Sequence, residues 1–394
     1  MRVLHYRQTF SKLSETFLYG YLTELEKQGA DCHVLTHERR NEESRPFSSV
    51  RQVDQPGKWH LRRLAHGLLA RAGFGGSVQD SYLRERRRRL AAVGRDMQPD
   101  VVHAHFGREG VLIAPVSRRL GRPLVVTFYG YDISSLPEED GWAEAYREMW
   151  SLTDAVTVLS EEMKEAALEL GCPEEKIHIV HLSRDLDQFS FQPPDRKVQR
   201  LLYVGRFTPK KAPLDAVRAL ERANQKGADL QLHIVGGGEL RDDVERYVDD
   251  QGLEEEIVVH GREPSEKVAG HMRAADAFVL PSKTAPDGDR EGTPTVLVEA
   301  QAMGLPCIST HHAGIPEMIP EQNHDLLVQE GDVEALVDRF LQVSTLSLKQ
   351  LQGIAERGRR KIEKEFSLSG QCKKLQSIYQ SVAVGRSGGE IGYE

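Results

Sequence analysis

The chain has 394 residues, room for two or three domains at roughly 150 residues each, which excludes a small scaffold held together by staples. Apolar residues make up 39% and charged residues 28%, a balance that excludes both a membrane-embedded and a disordered chain. Lys plus Arg number 52 against 60 Asp plus Glu, and the resulting net charge of −8 excludes a bulk nucleic-acid binder. Cys32, Cys172, Cys307 and Cys372 lie far apart without metal-ligand spacing, which predicts reduced thiols in a cytoplasmic setting. The opening MRVLHYRQTF has no apolar signal core, and no run reaches the ~20 apolar residues that span a bilayer.

In chain order, residues 2–6 read as a strand and 12–28 as a helix. Leu13, Phe17, Leu18, Tyr21, Leu22 and Leu25 share one face of that helix. After a strand at 32–36, an insert over 55–95 breaks the rhythm. It holds ten basic residues, Lys58, Arg62, Arg63, Arg71, Arg84, Arg86, Arg87, Arg88, Arg89 and Arg95, against Asp80 and Glu85. Two readings stay open: a solvated helix pair, or an amphipathic surface, with Leu61, Leu64, Leu68 and Leu69 at helical spacing, that meets an anionic membrane or acceptor. Strands follow at 101–104, 124–128, 155–159 and 178–182, and a second series at 200–204, 231–235, 257–260, 277–280, 307–310 and 325–328. Most are continuously apolar, as parallel strands covered on both faces require, and each series suffices for one doubly wound Rossmann-like domain. The expected division is a first domain over 1–184 with the basic insert, a second over 199–365, and a C-terminal helix over 366–394 bracing the first. The connection 184–199 carries Pro193 and Pro194, the helical pattern at 349–380 is unbroken, and the Gly-rich tail from Gly385 is expected to fray.

The chemistry gathers in the second series. In the stretch from Glu291 and Gly292 onward, Thr293 reads as an N-cap with Pro294 at the first helical position, and Gly304 ends the helix. Free amides and the helix dipole at that end suit a phosphate. Thr295 and Glu299 share a face, and Glu299 falls roughly 6 Å along, where a ribose attached to that phosphate would lie. The plain alternative is that both glutamates are exposed helix-end charges. In RLLYVGRFTPKKAP, a buried strand delivers Gly205, Arg206 and Lys211, a planar fork and a compact charge that together can hold a diphosphate. The glycines 236–238, with Gly237 central, are a weaker sign of close backbone approach to a ligand.

Taken together, VGR-x4-K, IVGGGEL, ADAFVLPS and the Glu-x7-Glu element EGTPTVLVE followed by AQAMGLP resemble the retaining GT-B glycosyltransferases of family four. SETFLYGYLTEL, HAHFG, VTFYGYDISS and LGCPEEKIHIVHLSRDLDQF extend the resemblance through the first domain, toward the colanic-acid and exopolysaccharide branch. It covers about 1–45 and 100–380 and leaves the basic insert aside. The resemblance implies an α/β GT-B fold, two Rossmann-like doubly wound parallel-sheet domains facing across a cleft. It implies a nucleotide-diphosphate sugar as donor substrate on the second domain and a saccharide or lipid-linked acceptor on the first. Glu291 then meets the transferred sugar, Glu299 the ribose, and Arg206 and Lys211 the departing diphosphate. Gly205, Gly292, Thr293, Pro294, Thr295, Gly237 and Arg262 complete the donor side, and Glu15, His105, Tyr129 and Asp132 the acceptor and donor-sugar side. No cofactor or metal is implied, because two cations and a helix N-terminus offset the charge. Asp287 and Asp289 form a DxD string, which reads here as a polar loop tip. The expected reaction retains configuration and yields an α-glycoside by front-face attack, in polysaccharide or glycoconjugate synthesis. The expected place is the cytoplasm, with peripheral contact at the inner membrane face.

Three departures mark this chain. Tyr129 stands where the family has histidine, and a phenol carries no positive charge near neutral pH. Ser183 and Arg184 replace glycine and an apolar residue at the crossover linker. The first loop, RQTFSKLSETF, lacks a glycine pair, for which a Ser14 cap and Glu15 are expected to substitute. Two rivals remain: a sugar-nucleotide epimerase on the same fold, and a nucleotide-sugar-binding protein impaired in catalysis, for which Tyr129 is the hint. Neither the base (UDP, GDP or ADP), the sugar nor the acceptor is legible in the sequence.

Overall fold

The computed structural model describes residues 1–12, 15–54 and 75–387, with 75–81, 386 and 387 by backbone alone. The expected Ser14 cap, residues 55–74 of the basic insert and the tail beyond 387 lie outside the described residues. The chain divides into two compact units. The first comprises Met1–Val158, Lys164–Val180 and Cys372–Glu394, and the second Leu159–Met163 and His181–Gln371.

Within the first unit the elements run β1 (Arg2–Tyr6), β2 (Thr9–Phe10), α1 (Thr16–Lys27), β3 (Asp31–Thr36), β4 (Glu38–Arg39), β5 (Val50–Gln52), α2 (Gly75–Met97) and β6 (Val101–His105). They continue with α3 (Gly107–Leu120), β7 (Leu124–Thr127), α4 (Tyr131–Ser134), α5 (Trp142–Leu152), β8 (Ala155–Val158), α6 (Glu161–Glu169, which enters this unit at Lys164) and β9 (Ile177–Ile179). Seven strands form one parallel sheet in the order β5-β3-β1-β6-β7-β8-β9, and β2 pairs with β4 alone. The apolar runs of β6, β7 and β8 are buried throughout, as strands under helices on both faces must be. Helix α1 buries Leu18, Tyr21, Leu22 and Leu25, but it starts at Thr16, later than expected, and its N-cap residue Glu15 makes no side-chain cap bond. Strand β5 was not expected: Val50–Gln52 is short and largely exposed at a sheet edge, so its sequence carries no apolar run.

Helix α2 carries the described part of the basic insert. Arg86 Nε donates to His37 Nε2 at 3.1 Å, Arg87 donates to the Val111 carbonyl at 3.4 Å, and Arg88 and Arg89 pair with Glu85. These arginines are thus engaged with their own unit. No helix among the described residues is long and apolar enough to cross a membrane.

The second unit runs β10 (Arg200–Arg206), α7 (Pro213–Gln225), β11 (Gln231–Gly237), α8 (Arg241–Gln251), β12 (Ile257–Gly261), α9 (Ser265–Ala274) and β13 (Ala277–Leu280). Then follow α10 (Thr295–Met303), β14 (Cys307–Thr310), α11 (Ile315–Met318), β15 (Leu327–Val328), α12 (Val333–Thr345) and α13 (Leu348–Glu365). Its six strands are parallel in the order β12-β11-β10-β13-β14-β15, over a core that includes Leu201, Leu202, Ile234, Phe278, Leu297 and Ile308. The unbroken helix expected over 349–380 is two helices, α13 and α14 (Leu368–Ser387). The break at Phe366 and Ser367 is held by the linker: Arg184 N–H donates to the Phe366 carbonyl and Leu368 N–H to the Arg184 carbonyl. From Cys372 onward α14 belongs to the first unit, where Tyr379 is fully buried and its hydroxyl lies 2.6 Å from His103 Nδ1. The helix runs through Gly385 to Ser387. All four cysteines are free and buried.

Candidate functional site

Open α/β sheets bind ligands beyond the carboxyl ends of their strands, where the strand order reverses. In the second unit that point lies between β10 and β13, and the residues following those two strands meet there. Lys211 Nζ is 2.7 Å from Glu291 Oε1, to which Ser282 Oγ also donates at 3.2 Å. Glu291 N–H donates to His312 Nε2 at 3.2 Å, and His312 Nδ1 sits 2.7 Å from Glu330 Oε2, which fixes the imidazole with its proton on Nδ1. Burial pushes the Glu291 carboxyl up, but Lys211 and Lys210 outweigh it and hold it below the usual range. Burial also lowers Lys211, aided by Lys210 and Arg206 and opposed by Glu291. The pair is an ionised one, already desolvated.

The turn that carries the cations is shaped by Tyr203, whose buried hydroxyl donates to the carbonyls of Arg206 at 3.3 Å and Lys211 at 3.1 Å. A Cβ on Gly205 would stand 3.0 Å from that hydroxyl. Arg206 itself is exposed and makes no ion pair among the described residues, so it is open to an anionic ligand. Lys210 pairs with Asp289 at 2.8 Å, and Asp287 accepts from Asp289 N–H, placing the DxD string in its own loop.

Helix α10 begins one residue later than expected. Pro294 is its N-cap, and Thr293 Oγ1 donates instead to the Leu159 carbonyl at 3.3 Å. The extended Pro294 backbone (ψ 95°) keeps Thr293 out of the capping position. Thr295 then opens the helix, Gly292 and Thr293 are buried, and Gly304 closes the helix with φ 94°. Glu299 is not a solitary ribose acceptor in this structure. Its Oε1 lies 2.6 Å from Arg184 Nε, so the unusual linker residue reaches the carboxylate directly. Burial raises the Glu299 carboxyl and Arg184 only partly restrains it.

The glycine cluster lies close against other parts of the unit. A Cβ on Gly236 (φ 150°) would fall 1.8 Å from the Gly205 carbonyl oxygen, and one on Gly238 would fall 2.4 Å from that of Phe207. The close approach is therefore to neighbouring protein backbone. Gly237 faces the stem of Arg262, which is itself exposed.

In the first unit the order reverses between β1 and β6. There Arg7, just beyond β1, donates both Nε (3.0 Å) and Nη2 (2.7 Å) to Glu15, bonds Glu109 of α3, and lies with its guanidinium carbon 3.9 Å from the Phe106 ring centroid. All three charged groups are buried. Glu15, expected beside a sugar, has both oxygens committed to Arg7, with Lys12 3.2 Å away. The Tyr129 ring packs at a tilt against Phe17 and Phe106, and its hydroxyl is 2.7 Å from His105 Nδ1. Asp132 is an organiser of backbone: its Oδ1 accepts from the N–H groups of Tyr129 (2.9 Å) and Gly130 (3.1 Å), and its Oδ2 from Gly107 (2.8 Å). Burial raises its carboxyl to about 6 against those bonds. Thus His105, Tyr129 and Asp132 do converge, while Asp132 is fully engaged in holding the turns. Sequence reasoning missed Arg7, Glu109, Tyr203, Ser282 and His312. Arg184 alone had a signal, as a departure at the linker.

Comparison with known proteins supplies the family. Residues 14–188 match Glycosyltransferase Family 4, and residues 185–361 match Glycosyl transferases group 1. WcaL of Escherichia coli K12, assigned to colanic acid biosynthesis as a glycosyltransferase, is 32% identical over 295 residues, 74% of this chain and 72% of its own. The amylovoran biosynthesis glycosyltransferase AmsK of Erwinia amylovora is 30% identical over 298 residues, 75% of this chain and 73% of its own. A crystal structure of Anabaena HepE in complex with UDP and glucose superposes with a TM-score of 0.73 at 17% identity, covering 97% of this chain and 100% of its own, a likeness of fold. Both halves matched, two relatives at 30% identity or more and two doubly wound units of the GT-B type lead to one conclusion: the chain belongs to the glycosyltransferases of family four.

Proposed function

We propose that the protein is a retaining hexosyltransferase. It takes a sugar from a nucleotide-diphosphate donor and forms an α-glycosidic bond to a saccharide or lipid-linked acceptor, in exopolysaccharide or glycoconjugate assembly. The observation that carries this reading is the Lys211–Glu291 ion pair at the strand-order reversal of the second unit, beside the exposed Arg206. The relatives WcaL and AmsK support the polysaccharide context, and the UDP and glucose held by HepE support the donor class.

In this reading Arg206 and Lys211 bind the diphosphate and, with the start of α10, offset the charge that grows on it as the glycosidic bond breaks. That arrangement serves transfer without a divalent ion. Glu291, released in part as Lys211 turns to phosphate, meets the transferred sugar, and Glu299 takes the ribose hydroxyls on the oxygen Arg184 leaves open. The leaving phosphate accepts the acceptor's proton on the face it departs from, so configuration is kept. The first unit holds the acceptor near His105 and Tyr129. Segment 55–95 adds peripheral attachment to an anionic membrane at the cytoplasmic face. Salt-sensitive co-sedimentation with anionic vesicles is expected, and equal sedimentation with neutral vesicles contradicts it.

The test is turnover across a panel of UDP-, GDP- and ADP-sugars. One donor should be hydrolysed slowly without acceptor, and Arg206→Ala or Glu291→Ala should each lower transfer by at least ~100-fold. Near wild-type transfer in a folded variant removes that residue from the mechanism. Binding without transfer or hydrolysis supports the impaired-partner rival, and release of a free epimer supports the epimerase.

A further inference from the structure

Among the described residues, two clusters of three histidines each bring one ring nitrogen per residue within 4.8 Å of the others, and they differ in what their nitrogens already do. In the first unit His103 is bonded at both nitrogens, to Tyr379 and Thr127, and His105 at both, to Tyr129 and His5. Those four nitrogens are engaged in the core, and the third ring, His5, spends Nδ1 on His105 and keeps only a fully buried Nε2 without a partner. The second cluster, His233 of β11, His260 of β12 and His271 of α9, is built otherwise. His233 Nδ1 and His260 Nε2 face each other at 2.9 Å, and the rings of His260 and His271 approach to 4.3 Å between centroids. The parallel pairing slips between Ile234 and Val235, leaving His260 as the unpaired residue of a bulge. Bulges re-aim side chains, and this one lies beside His233 under the helix that carries His271. Each ring is only partly buried, so an ion has a path from solvent.

A second observation points the same way. Glu263 Oε2 lies 2.7 Å from His271 Nε2. A carboxylate accepting the proton of one imidazole nitrogen fixes the tautomer and leaves the other lone pair for a metal, the outer-shell arrangement common around zinc-bound histidines.

We propose that His233, His260 and His271 form a binding site for a divalent ion of the zinc class, with Glu263 orienting His271. Tetrahedral bonds of 2.0–2.1 Å require ligand nitrogens about 3.3 Å apart, so His233 and His260 need to open by only about 0.4 Å as the ion replaces their shared proton. Arg200, close enough to act on His233, opposes a dication, and the Glu263 carboxylate offsets it. The ion would tie α9 to the β11–β12 edge of the second unit, apart from the residues assigned to transfer.

The test uses the full chain without a histidine tag, stripped with EDTA, titrated with Zn²⁺ against a chromophoric chelator and separately with Co²⁺. One equivalent should bind, with visible Co²⁺ bands of tetrahedral intensity and a raised melting temperature. His260→Ala should weaken Zn²⁺ binding by at least ~100-fold, and Glu263→Gln by about 10–100-fold. His271→Gln, on a partly exposed helix, gives the same readout should His260→Ala disturb the bulge. Absence of a tight equivalent in the wild-type chain overturns the proposal, as does wild-type affinity in folded His260→Ala and His271→Gln variants.

Discussion

Arg184→Gln is the perturbation that best probes the donor side. In the structure Arg184 Nε stands 2.6 Å from Glu299 Oε1, with side-chain exposures of 26% and 12%. Exposed ion pairs contribute about 0.2–1 kcal/mol and breaking a buried one costs about 3–5 kcal/mol, so a quarter-exposed arginine on a more buried carboxylate falls between, near ~1.4 kcal/mol. At 1.4 kcal/mol per factor of ten, losing it should weaken donor binding about tenfold. The mechanism is indirect. Burial already raises the Glu299 carboxyl, Arg184 is what restrains it, and without Arg184 the carboxyl rises further. Ribose hydroxyls need an ionised acceptor, so the acid limb of binding should move to higher pH in the variant. The assay is calorimetry with whichever of UDP, GDP or ADP binds best, in wild type and Arg184→Gln, from pH 5 to 8, with thermal melting as the folding control. The same titration with the 2′,3′-dideoxy nucleotide isolates the ribose term: there the two proteins should bind alike. An unchanged or improved affinity in the variant refutes the reasoning, and so does an equal loss with the dideoxy nucleotide.

Gly236→Ala should cost more than ~4 kcal/mol or abolish folding, since its Cβ would lie 1.8 Å from the Gly205 oxygen, whereas Gly270→Ala, in open space on α9, should be neutral or slightly stabilising. Urea denaturation of the two variants checks the contrast. Asp132→Asn leaves one acceptor oxygen where a carboxylate serves three backbone N–H groups, so about 1–3 kcal/mol of stability should be lost by the same measure. Glu317 supplies a pH dependence. Burial, then the neighbouring Glu161 and Glu162, raise its carboxyl to about 7, although it accepts from Glu161 N–H. The native state therefore holds its proton where the unfolded chain has released it, and stability should fall as pH rises from about 4.5 to 7. Glu317→Gln keeps the acceptor and removes the charge, so its stability profile should be flatter over that range; an identical slope contradicts the assignment.

The strands were legible because parallel strands under two helical layers are buried end to end and so read as predominantly apolar runs. VVHAH at β6, LVVT at β7 and AFVL at β13 are buried at every position. Gly304 was legible because a helix end with φ 94° selects glycine. What escaped was set by contacts distant in sequence. No spacing rule connects Arg184 to Glu299, His312 to the Glu291 amide, or Tyr203 to the turn it clasps. The EGTP motif identified the site, yet the cap geometry within it differed because Thr293 found a partner at Leu159. The triple glycine was legible in part: sequence shows that backbone approaches something, and the fold shows that β10 and its turn lie against Gly236 and Gly238. Helices α13 and α14 read as one because the break at Phe366 comes from pairing with Arg184, which leaves no proline or glycine behind.

The central claim is donor chemistry with retained configuration, and the anomeric form of the product tests it most directly. An α-linked nucleotide sugar that the protein turns over, followed by proton NMR as the reaction starts and with EDTA present, should give an α-linked or α-anomeric product at an undiminished rate. A β-configured first product, or a rate that EDTA abolishes and Mg²⁺ or Mn²⁺ restores, contradicts the account.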